Sequence, residues 1–157
     1  MAAEYRFLDR WVVPHEIERV FAAVGEPLAY PEWWSDVFVA ATGDGGLPVP
    51  GNRTSVVARG FLPYRLRFTL ECVEVERPTR IFSRLSGDLE GTGEWRLREE
   101  HGATLAELDW RPVVAKPFVR QLTPVLRPLF RANHNWTMHR GQQRILERLL
   151  LSPLAPE

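Results

Sequence analysis

The sequence predicts an α+β protein in which an antiparallel sheet is packed against one long C-terminal helix. Three observations predict it. A single long helix-period segment runs from Thr123 to Leu151. Six strand-like segments between residues 38 and 111 are separated by turn-length breaks. Strands joined by short turns pair antiparallel, and their apolar face must then be covered, which leaves the long helix as the cover.

The elements follow in order. Tyr5 to Val13 alternates loosely and stops at Pro14, as a first strand does. From Pro14 to Val24, Ile17, Val20, Phe21 and Val24 share a face, with Pro at the start and Gly25 after the end, the pattern of a short amphipathic helix. A second helical turn with two prolines carries Trp33 and Trp34 to the core. Phe38 to Thr42 is a strand, followed by the loop Gly43 to Gly51, whose Gly and Pro content excludes regular structure and marks it as the most mobile segment.

Arg53 to Gly60 and Tyr64 to Glu76 come next. In the latter, Leu66, Phe68, Leu70 and Cys72 share one face, but the phase then slips to Val73 and Val75, which predicts a bulge. Thr79 to Leu85, Asp88 to Arg98 and Ala103 to Arg111 complete the set, and a connection over 112–122 leads to the helix. Leu89, Gly91, Gly93, Trp95 and Leu97 share a face, as do Thr104, Ala106, Leu108 and Trp110. The glycines leave room above the sheet.

On the helix, Thr123 is the cap and Pro124 the first helical residue. Leu126, Leu129, Phe130, Asn133, Thr137, Gly141, Ile145 and Leu149 form its apolar stripe. The stripe is aliphatic toward its end, but Asn133, His134 and Thr137 interrupt it where a plain core would carry Leu or Val. That mixture suggests the roof of a cavity; a His134 that reaches water at the margin of the stripe is the alternative. Pro128 predicts a kink or a loose first turn. Together the elements make a helix-grip arrangement: about seven strands curved around the C-terminal helix, with two short helices after the first strand.

Totals limit the function classes. The chain has 157 residues, 45% apolar, which suits one domain over 1–157. Lys plus Arg and Asp plus Glu are 20 each, so the net charge is zero and a nucleic-acid partner is not expected. Lys116 is the only lysine, which reads as the codon usage of a GC-rich bacterium. A lone cysteine, Cys72, excludes an internal disulfide. The N-terminus has no signal-peptide pattern and no apolar run reaches ~18 residues, so a cytoplasmic protein without a transmembrane segment is expected.

Tyr30-Pro31-Glu32-Trp33-Trp34, Gly87 to Trp95, Asp109-Trp110 and Asn133-His134 with Met138, in this element order, resemble the SRPBCC superfamily. More narrowly, the chain is similar to bacterial proteins described as polyketide cyclase/dehydrase-like, relatives of START lipid-transfer domains and of the birch-pollen-allergen fold. The resemblance spans nearly the whole chain. It implies a deep cavity between the sheet and the long helix. Combined with the alternation, it implies a lining from Trp34, Phe68, Leu70, Gly91, Gly93, Trp95, Leu108, Trp110, Phe130, Asn133, His134 and Thr137. Such a lining suits an apolar ligand with one or two oxygens, though the same residues could fill an ordinary core.

Three functions stay open on this sequence. The first is binding of a hydrophobic small molecule, whether lipid, acyl or polycyclic and polyketide-like. The second is a cyclase or dehydratase in which His134 is the acid/base and Asn133 holds an enolate oxygen. The third is a regulatory or interaction domain with a closed cavity. Glu107 and Asp109 share a face but are expected to look outward, and Arg84 is expected on the wet face. The four histidines, His15, His101, His134 and His139, have no metal-ligand spacing, and no nucleotide fingerprint is present, so neither metal nor cofactor is expected. The iron-ligand spacing of Rieske-type relatives is absent too. The partner is a hydrophobic small molecule, and the protein a monomer or a homodimer.

Overall fold

A computed structural model of the chain describes residues 3–60, 64–115 and 123–151. The strands are β1 (Ala3–Glu4), β2 (Phe7–Val13), β3 (Phe38–Gly43), β4 (Arg53–Ala58), β5 (Leu66–Glu76), β6 (Arg80–Gly87), β7 (Leu89–Glu100) and β8 (Ala103–Val114). The helices are α1 (Ile17–Val24), a 3-10 turn (Pro27–Ala29), α2 (Tyr30–Trp33) and α3 (Thr123–Leu151). All described pairings are antiparallel, in the order β1-β8-β7-β6-β5-β4-β3, with β2 also on β8. Because β1 and β2 follow one another along β8, they act as one interrupted edge strand, and the sheet has seven positions. It curls as a half-barrel around α3, which is the helix-grip fold.

The alternation read from sequence decides the faces. Leu66, Phe68 and Cys72 of β5, and Leu89, Trp95 and Leu97 of β7, are buried inward. The slip after Cys72 is a real irregularity: β5 pairs Cys72 with Ser83 and then Glu74 with Phe82, leaving Val73 extra. The outer face is a charged lattice. Glu107 and Asp109 look outward and pair with Arg10 and Arg98, and with Arg6 and Arg111. Arg84 is also outside, near Glu71. Glu94, on the same outer face, is held between Arg80 Nε at 2.7 Å and Arg96 Nε at 2.8 Å and is largely covered by them.

Several boundaries and details add to or differ from the sequence reading. α1 starts at Ile17 rather than Pro14: His15 N–H turns back to the Val13 carbonyl, and the first helical bonds run to Glu16. β8 continues through Pro112 to Val114. A proline is tolerated there because it pairs opposite the irregular Gly91, while its carbonyl still accepts from Tyr5 N–H at 3.0 Å. Pro128, the expected site of a kink or loose first turn, lies early within α3 and is exposed. The loop 43–51 is pinned at several points. Asp44 Oδ2 accepts from Arg53 N–H at 2.9 Å, Glu26 accepts from Gly46 N–H, and Pro48 is buried against Gly25. Residues 61–63 and 116–122 and the Leu126 side chain, where a turn, most of the connection and part of the stripe were expected, lie outside the described residues.

α3 is attached to the rest through aromatic and ionic contacts. Trp11 Nε1 donates to the Met138 carbonyl and Trp34 Nε1 to the Thr137 carbonyl, both at 3.0 Å. Outside, Asp36 accepts from Arg140 Nε at 2.7 Å and Arg144 Nε at 3.0 Å. These arginines, Arg144 foremost, hold the Asp36 carboxyl below the usual carboxylate range against the opposing effect of burial. A depressed carboxyl stabilises the fold above its unfolded pKa of about 3.9, and that contribution is lost as pH falls through the folded value. Asp36→Asn is therefore expected to lower the urea midpoint at neutral pH. Its difference from wild type should shrink on acidification below about pH 3.9; a pH-independent difference would contradict this assignment.

Candidate functional site

Between the sheet and α3 lies a cavity offering about 170 Å³ to the centres of water-sized molecules. A single water-sized sphere occupies only about 10–15 Å³, so an organic molecule has room. Of the expected lining, Trp34, Phe68, Leu70, Gly93, Trp95, Leu108, Trp110, Phe130, Asn133, His134 and Thr137 all border it. Gly91 does not. Its φ of +104° and the Arg111 carbonyl, which would overlap any Cβ there, show that its missing side chain serves a close backbone approach. At Gly93 the sequence argument for room above the sheet applies, and the space is taken by the Trp110 ring, 2.8 Å from where a Cβ would stand.

The strands and helices bring different chemistry to the walls. β5, β7 and β8 supply Phe68, Leu70, Trp95 and Leu108, alternate residues that the pleat turns inward. From β6 comes Ser83, across the ladder from Cys72, whose thiol is pushed up in pKa by burial and stays protonated. Tyr30, on α2, is also a wall residue. Its hydroxyl donates to the Val24 carbonyl and has its pKa raised chiefly by burial, so it remains a phenol.

α3 provides the polar end. Asn133 lies over Gly60, its amide filling the place a side chain there would need. His134 stacks on Phe7 with ring centroids 3.9 Å apart, and its Nε2 is 2.5 Å from Asp9 Oδ2. Only 10% of the His134 side chain and 19% of Asp9 are exposed, so the pair is sheltered from water. His134 thus borders the cavity and is anchored to β2 at once.

Sequence reasoning missed several wall residues. Tyr5 and Phe7 come from the edge strand, Met138 from α3, and Asp44, Gly46, Pro48 and Asn52 from the loop that closes one end. It also missed Asp9. The signal was present: in Phe7, Asp9, Trp11 and Val13 the inward alternation places a carboxylate between two aromatics. Among the described residues, no three His, Cys, Asp or Glu side chains gather as metal ligands, and no helix is long and apolar enough to cross a membrane.

With this geometry in hand, likeness to solved structures is informative. No family model matches the chain, and no curated protein matches it in sequence. Its fold is similar to a START superfamily protein from Mycobacterium smegmatis, with TM-score 0.64 and 16% identity, covering 94% of this chain and 99% of that one. It is similar also to TTHA0849 from Thermus thermophilus, with TM-score 0.65 and 16% identity over 92% and 99% of the two chains. A third likeness is to the di-domain ARO/CYC BexL from the BE-7585A biosynthetic pathway, with TM-score 0.61 and 16% identity over 90% of this chain and 50% of that one. At these identities the likeness establishes the fold alone: this chain has the helix-grip fold that the START superfamily protein also has.

Proposed function

We propose that the protein binds a hydrophobic small molecule, of lipid, acyl or polycyclic polyketide-like type, in the cavity between the sheet and α3. The carrying observation is the open space itself: an enclosure walled by Trp34, Phe68, Leu70, Trp95, Leu108 and Phe130, with polar groups confined to a few positions. A packed core would fill that volume, since interiors leave few voids larger than a water. Titration with a fluorescent fatty acid or polyaromatic, read by tryptophan emission, should saturate at micromolar concentration. Leu70→Trp, which puts bulk into the space, is expected to weaken uptake about tenfold or more, whereas Leu8→Trp, at a position 68% exposed, should not. Absence of saturable uptake by the wild type would favour a regulatory domain with a closed cavity.

A second reading, a cyclase or dehydratase using His134 and Asn133, is favoured by one observation, the Asp9 carboxylate at His134 Nε2. A carboxylate there orients an imidazole and supports its protonated form during acid/base work. His134→Ala should abolish turnover of a poly-β-ketone if this reading holds; unchanged turnover removes it.

A further inference from the structure

His134 and Thr137 lie one helical turn apart on the side of α3 that walls the cavity. Thr137 Oγ1 is buried and has no hydrogen-bond partner among the described residues. A helical threonine can return its hydroxyl to the carbonyl one turn back, but this one does not. The group therefore carries a desolvation cost that a bound polar atom would relieve. The helix is fixed at this point, since the Thr137 carbonyl accepts from Trp34 Nε1 at 3.0 Å.

The neighbouring imidazole is prepared in a complementary way. Asp9 is an acceptor, so in the neutral imidazole the contact at Nε2 places the ring proton there and leaves Nδ1 with its lone pair. Nδ1 has no hydrogen-bond partner among the described residues. Phe7 is stacked on the ring, with centroids 3.9 Å apart. An acceptor and a hydroxyl thus belong to residues one helical turn apart on a mostly apolar wall.

A ligand hydroxyl is the small group that satisfies both: it donates to His134 Nδ1 and accepts from Thr137. A ketone could only accept, and a carboxylate would meet the Asp9 charge across the ring. We propose that the cavity selects apolar ligands bearing a hydroxyl, a phenol or an alcohol, with His134 and Thr137 as specificity-determining residues and Asp9 as the positioning residue that sets the tautomer. This rests on the small-molecule-binding reading above.

The test titrates the full chain with naphthalene, 2-naphthol and 2-naphthoate, following tryptophan emission. 2-Naphthol is expected to bind about tenfold more tightly than naphthalene, the scale of one well-made buried hydrogen bond. Thr137→Val and His134→Phe should each collapse that ratio toward unity, lowering 2-naphthol affinity by more than they change naphthalene affinity. Asp9→Asn, whose amide can donate to Nε2 and so move the proton to Nδ1, should shift preference from naphthol toward naphthoate. A merely structural Asp9 would change all three affinities together. Equal wild-type binding of naphthol and naphthalene, or tightest binding of naphthoate, overturns this inference and leaves the cavity reading standing. Failure to bind any of the three overturns the cavity reading, and this inference with it. If His134→Phe does not fold, the near-isosteric Thr137→Val decides the matter alone.

Discussion

Gly141→Ala is expected to destabilise the protein by about 2–3 kcal/mol, through overpacking of a site with no slack. In an open helix the same change would stabilise by up to about 1 kcal/mol, so the sign itself is diagnostic. A Cβ at Gly141 would stand 2.6 Å from Trp11 Cζ2 and 2.6 Å from Trp34 Cε2 and Cζ2. Neither indole can retreat easily. Both are tied to α3 through the Thr137 and Met138 carbonyls, and Trp11, only 1% exposed, also packs on Trp95 with centroids 5.1 Å apart. Equilibrium urea unfolding measures the effect, and a Trp34→Phe background should recover part of the loss. An unchanged or higher midpoint would mean that the indoles give way.

Ile145→Ala, one turn further along the same stripe, is expected to cost roughly 2–5 kcal/mol. Ile145 is fully buried, at 0% exposure, and closes the core where α3 no longer borders the cavity. The two effects should therefore separate: stability falls, while affinity for an apolar probe in the still-folded variant stays within about twofold. A stability change near zero would show that the site can collapse around the smaller side chain. A large loss of probe affinity would show that the packing half of α3 also shapes the cavity.

The contrast between these two halves of α3 is legible in the amino-acid order. Aliphatic residues continue the stripe at Ile145 and Leu149, while Asn133, His134 and Thr137 interrupt it, and the structure places the latter three on the cavity wall. Strand faces were equally legible, because a period of two leaves each side chain only two directions. The bulge after Cys72 could be read from the phase slip for the same reason.

What could not be read were relations between segments far apart in sequence. Asp9 meets His134 across 125 residues, and nothing local to either predicts which inward carboxylate will face which helix turn. Gly91 and Gly93 look alike in sequence, yet one yields to a neighbouring backbone carbonyl and the other to the Trp110 ring. The loop 43–51 has the composition of a free loop, but Glu26, Arg53 and Gly25 hold it over one end of the cavity.

By itself, then, the amino-acid order determined the elements, their faces and the existence of an unusual polar interruption in the covering helix, since these depend on periodicity along one chain segment. Tertiary structure alone decided which carboxylate orients His134, which glycine faces the cavity and how large that cavity is. Those depend on register and packing between distant strands and α3, where shifts of an ångström decide which side chains touch.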